Sequence, residues 1–145
     1  MNKKFILATL VTTVVLFLLN AIFYAAILKD FFHDHPAVST EFANQLYKPD
    51  DQIIIWAVVL CSVSIGLLLT LVMNWAGARS FVAGIKKGFL FASLFLFTVD
   101  FGLLASTNNF TTAGAFADII CSTTALTISC GISAWMLGRE KTTGA

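Results

Sequence analysis

Charge is what this chain lacks most. Only 12% of its residues are Asp, Glu, Lys or Arg, against about 25% in a typical soluble domain. Hydrophobic residues make up 58% and the mean hydropathy is +0.86. That balance excludes an ordinary soluble fold and a basic nucleic-acid-binding surface. Cysteine is also sparse. Cys61, Cys121 and Cys130 all lie inside apolar runs, and none has CxxC metal spacing; they read as small packing residues. No internal repeat, low-complexity segment or lipidation motif interrupts the sequence. The runs do not alternate in polarity, so a membrane β-barrel is excluded as well.

What remains is four long apolar runs, at about residues 5–28, 53–75, 84–105 and 113–137. A helix needs about 20 residues to cross a bilayer, and backbone groups in lipid must be satisfied within a helix or a closed barrel. The expected fold is an all-α, four-transmembrane-helix antiparallel bundle forming one integral membrane domain over residues 1–145. The first run exceeds the 7–15-residue core of a signal peptide, so it is expected to stay as an anchor. Residues 29–52 form the one long loop, broken at His35-Pro36 and Lys48-Pro49. Within it, Ser39 to Tyr47 fits a short capped interfacial helix.

The few charges are unevenly placed. Lys3, Lys4, Arg79, Lys86, Lys87, Arg139 and Lys141, seven of the nine basic residues, fall on one side of a four-span chain. The other side has Lys29 and Lys48 among Asp30, Asp34, Glu41, Asp50 and Asp51. The positive-inside rule then puts both termini in the cytoplasm. The expected location is a cell membrane crossed several times, the bacterial inner membrane.

Two aspartates sit within the last two spans. Asp100 lies nine positions before Asn109 and Asp118 nine after it, with the polar turn 106–112 between them. At a rise of about 1.5 Å per residue, a helical hairpin brings both carboxylates to one depth. A carboxylate in hydrocarbon costs roughly 2.5–3.5 kcal/mol on insertion scales, so each must face a partner, water or the bundle interior. Asn20 in span one and Ser62 in span two fall at a similar depth. Asn20, Ser62, Asp100 and Asp118 are therefore expected to converge on one site. No Lys or Arg lies at that depth, which excludes an intrachain salt bridge. Two crowded carboxylates sharing a proton can bind a proton or small cation, or anchor an amine. The bland reading is structural packing, with each aspartate bonded to Ser62, Thr107 or backbone amides, and Asp118 favoured by a helix dipole.

Small and polar residues recur along each span: Thr9, Thr13, Asn20 and Tyr24; Ser62, Gly66, Thr70 and Asn74; Asp118, Ser122, Ala125, Ser129 and Ser133. Such stripes let membrane helices approach closely. Span three differs: it carries Phe89, Phe91, Phe95, Phe97 and Phe101, most of them expected to face lipid or a partner subunit, with only Ser93 and Asp100 as obvious interior groups. His33-Asp34-His35 is a weak metal-ligand pattern, completed only if Asp30, Glu41 or Asp50 joined it. Within the spans there is no nucleophile–base pair and no metal set, so catalysis is disfavoured and the sequence names no cofactor.

Val15 to Phe32 and Gly84 to Gly138 resemble small bacterial four-span membrane families grouped as domains of unknown function. Asn20 near Phe23 and Tyr24, the Val99-Asp100 step and Asp118 opening span four carry the resemblance. It implies the fold. Those families carry an aspartate where this chain has Asn20, which removes one charge from any three-carboxylate mechanism. Two functions remain: a small membrane protein that binds or passes a proton, cation or small amine, or a non-catalytic accessory or assembly subunit. Either has the lipid bilayer as solvent and either a homo-oligomer or a membrane-complex partner.

Overall fold

The structure is a computed structural model that describes residues 3–139. Lys141 lies outside the described residues, as does the side chain of Asp50. Among the described residues there are five helices and no strand. Four are long and apolar enough to cross a membrane: α1 Lys3–Asp34, α3 Ile55–Trp75, α4 Phe81–Ser106 and α5 Thr112–Gly138. Between the first two lies α2, Thr40–Leu46, followed by a 3-10 turn at Asp50–Gln52.

Helix starts follow the hydroxyl residues that precede them. Ser39, Ser80 and Thr111 each accept a hydrogen bond from a first-turn amide, from Phe42, Ala83 and Gly114 respectively, at 3.3, 3.3 and 3.0 Å. Each thus satisfies one of the amides a helix start leaves unpaired. Gly77, at φ 65°, makes the reversal between α3 and α4, a backbone region that costs other residues a Cβ clash. The first helix does not stop at residue 28. It runs on to Asp34, taking in Lys29, Asp30 and His33, because no Pro or Gly occurs before Pro36.

The axis of the bundle is α5. Of its most apolar stretch 56% is buried, against 28% for α1, 17% for α3 and 22% for α4. It packs most extensively on α4, then on α1, and less on α3, whereas α3 and α4 barely meet. Small residues explain the α4–α5 contact. A Cβ on Gly84 would lie 2.5 Å from the Cys130 carbonyl oxygen, and one on Gly88 would lie 2.4 Å from Cys130 Cβ. The two backbones are in near contact, which only a Gly-xxx-Gly face permits. Likewise a Cβ on Gly66 in α3 would lie 2.0 Å from Thr13 Oγ1 in α1.

Contacts also sort the ends. At one end Lys4 donates to the Arg139 carbonyl and Lys87 to that of Ala76, and Gly138 abuts the backbone of Arg79. At the other, Phe32 of α1 approaches Gly114 of α5, and the α1–α2 loop meets the α4–α5 turn across a shared pocket. The outer surface is apolar: Leu10, Phe17, Trp56, Phe89, Leu94 and Ile120 are all at least half exposed. An apolar shell of this extent suits lipid, not water.

Candidate functional site

The site begins at an irregularity in α1. Residues Phe23–Ile27 form a π turn, in which the Leu28 amide bonds back to the Phe23 carbonyl. A π turn inserts one residue into the helical count and re-aims the side chains around it. Within this turn lies Tyr24, whose hydroxyl donates to Asp118 Oδ1 on α5. Ser122, one turn further along α5, donates to the same oxygen at 3.3 Å and lies 3.1 Å from the Tyr24 hydroxyl.

Asp118 is thus a buried carboxylate with two donors. Hydrogen bonds to charged groups contribute about 1.5–3 kcal/mol each, enough to offset an insertion cost of roughly 3 kcal/mol. The helix dipole does little here. The first residue of α5 is Thr112, so Asp118 lies in its second turn, and the dipole acts chiefly within the first. The partners named by the structural reading are also engaged elsewhere. Ser62 donates to Val58 O within its own helix, and Thr107, just past the end of α4, donates back to Leu103 O, both at 2.8 Å.

Asp100 has no such support. It is 3% exposed, and among the described residues its buried Oδ2 has no hydrogen-bond partner. It belongs to the buried face of α4, as Asp118 does to that of α5, and these two helices make the most extensive contact in the bundle. The hydroxyls of Thr12, Thr123 and Thr127 are also buried without a partner among the described residues. A threonine hydroxyl can rotate to its own helix carbonyl one turn back; a carboxylate oxygen has no proton to give unless it binds one.

Above Asp118 opens a pocket of about 450 Å³. Its walls come from α1 (Tyr24, Phe32), the loop 35–38, α2 (Ala43) with Tyr47 at its end, and the turn into α5 (Asn109, Phe110, Thr111, Gly114). Asn20 and Ser62 lie elsewhere. They line a second cavity of about 330 Å³ between α1 and α3, with Thr13, Phe17 and Ile65. Tyr24 borders both cavities. Of the four expected residues, Asn20 and Ser62 therefore line the smaller cavity, Asp118 lines the larger, and Asp100 is among the lining residues of neither; among the described residues neither Asn20 nor Ser62 hydrogen-bonds an aspartate.

The histidines are placed apart. His33 is exposed and sits 3.4 Å from Asp34. His35 stacks on Phe31 at 4.6 Å, its ring nitrogen lies 3.1 Å from the Phe31 carbonyl, and it edges the larger pocket. Among the described residues no three His, Cys, Asp or Glu side chains come together in a way that could hold a metal ion.

Sequence reasoning put Tyr24 on the polar stripe of span one but did not count it among the site residues. The signal available was its helical spacing from Asn20. Comparison with known proteins finds no matching family model, no matching curated sequence and no matching solved structure. Fold and site together define a helical protein with the build of a multi-pass membrane protein and a buried pair of carboxylates, and function has to be argued from that geometry.

Proposed function

We propose that the chain is a four-span antiparallel bundle of a cell membrane, the bacterial inner membrane, with both termini in the cytoplasm. Its loop-end pocket binds or passes a proton, a cation or a small amine. The supporting observation is the buried carboxylate oxygen of Asp100, without a partner among the described residues, on the helix that packs most extensively against the one carrying Asp118. An intramembrane carboxylate with no compensation is costly, and such groups mark ion and substrate pathways. Asp118, held by Tyr24 and Ser122, faces the solute. Asp100 completes the negative site behind it. Asn20 and Ser62 assist from the adjoining cavity.

The test is difference infrared spectroscopy of the lipid-reconstituted protein while acid, Na⁺, K⁺, ammonium or methylammonium is added. At least one of these should change the carboxyl bands, and Asp118→Asn should remove that change. Bands indifferent to every solute would overturn the reading.

A second reading, an accessory subunit, draws on the phenylalanines of α4, of which Phe95, Phe97 and Phe101 are exposed while Phe91 packs against the core. There Phe91 stacks on Phe95 and Phe97 on Phe101, with ring centroids 5.9 and 5.5 Å apart. A partner docked on that ladder should be released by Phe95→Ser on pull-down from native membranes.

A further inference from the structure

Resting on the reading of Asp118 as a solute-facing carboxylate, we infer that the larger pocket binds an organic cation with an apolar body, of the substituted-ammonium class. Its volume of about 450 Å³ is in the range of small-molecule sites, roughly 300–1,000 Å³. Five rings line it: Tyr24, Phe32, His35, Tyr47 and Phe110. Among the described residues Asp118 is its one carboxylate, and no Lys or Arg lines it.

Each alternative class of occupant meets a mismatch. An anion would face Asp118 with no counter-charge. A metal ion would find no set of three charged or imidazole ligands among the described residues. A neutral apolar molecule would displace water from Asp118 and give it nothing in return, the costly case of a desolvated, unpaired charge. A substituted ammonium matches both parts of the site. Its charge pairs with the carboxylate, and its methylated or aromatic body lies against ring faces, the arrangement by which aromatic cages hold quaternary ammonium groups.

The hydrogen bonds agree with this. Both donors to Asp118, from Tyr24 and Ser122, fall on Oδ1. That leaves Oδ2 to meet the cation. The Tyr24 hydroxyl spends its proton on Asp118, so the pocket asks for charge and shape more than for ligand hydrogen bonds. Tyr47 belongs to the far wall at the end of α2, is 60% exposed, and adds a ring without supporting the bundle.

The test is equilibrium dialysis of radiolabelled benzyltrimethylammonium against the full chain in lipid nanodiscs, with protein-free nanodiscs as background. Saturable binding is expected. Asp118→Asn should weaken it by about tenfold or more, a loss of roughly one charge-assisted contact. Tyr47→Ala should weaken it about two- to fivefold, the range of a single exposed cation–π contact. Tetramethylammonium should compete, and benzyl alcohol should not. Binding no greater than background, binding indifferent to both variants, or displacement by benzyl alcohol would each overturn the inference. Because Tyr47 is peripheral, its variant stays informative even where Asp118→Asn fails to fold. If methylammonium or acid still moves the Asp118 band while benzyltrimethylammonium does not bind, only the ligand class is wrong. If neither acts, the underlying reading falls with it.

Discussion

Asp118 and Asp100 carry the same side chain and both are buried, yet their energetics differ. Asp118 has two donors on one oxygen; among the described residues Asp100 Oδ2 has none. Opposite responses to mutation follow. Tyr24→Phe keeps the ring and removes one donor, so it should destabilise the protein by about 1.5–3 kcal/mol. Asp100→Leu replaces an uncompensated buried carboxylate with an apolar group of similar size, which should be neutral or stabilising by about 1 kcal/mol or more. It should also remove the solute-dependent band change. Denaturation in mixed micelles measures both, and a large loss of stability in Asp100→Leu would make Asp100 a structural residue. At this scale the sequence is half legible. The equal spacing of the two aspartates from Asn109 makes both stand out as candidates, since helical rise is constant, and both are buried. The role of Tyr24 is hidden because the run Phe-Tyr-Ala-Ala-Ile holds no Pro or Gly to announce a π turn. Asn20 and Tyr24 share the cavity between α1 and α3, and Tyr24 alone of the two also reaches Asp118 on α5.

Helices in lipid gain nothing from burying leucine against leucine, so contact between elements depends on how closely backbones approach. The buried row of α4 is Gly84, Gly88, Ala92, Leu96 and Asp100, at every fourth position. The phenylalanines that dominate its composition mask this row, and so it escapes a reading by residue type. Helix limits are more legible, because hydropathy and hydroxyl caps are local signals. The exception is α1, whose polar last turns are held by tertiary packing: Leu28 is 3% exposed and Phe32 reaches Gly114. Two glycines of one helix separate packing from propensity. Gly88→Ala puts a methyl 2.4 Å from Cys130 Cβ and should cost about 1–3 kcal/mol through overpacking. Gly102 has nothing within 4 Å of an added Cβ, so Gly102→Ala should stabilise by about 0.5–1 kcal/mol, the ordinary gain of alanine in a helix. Thermal unfolding in detergent compares them directly. Equal effects at both positions would show that the α4–α5 approach does not limit stability.

For the whole molecule, orientation decides which compartment the pocket samples. Lys4, Arg79, Lys87 and Arg139 cluster at one end through contacts between both ends of the chain and the α3–α4 connection. The pocket, α2 and the acidic loop lie at the other. Because translocating Lys and Arg is unfavourable, the basic end should stay in the cytoplasm and the pocket should open outward. Two exposed positions report this, Gln45 on α2 and Ala76 at the end of α3. In a chain whose own Cys61, Cys121 and Cys130 are replaced by alanine, Gln45→Cys should react with a membrane-impermeant thiol reagent in intact cells. Ala76→Cys should react only after the membrane is opened. The reverse pattern would turn the pocket toward the cytoplasm, and the organic cation it selects would then be one drawn from inside the cell. Labelling of Gln45→Cys that is slowed by added benzyltrimethylammonium would tie the orientation to the site, because α2 forms a wall of the pocket and a bound cation restrains it.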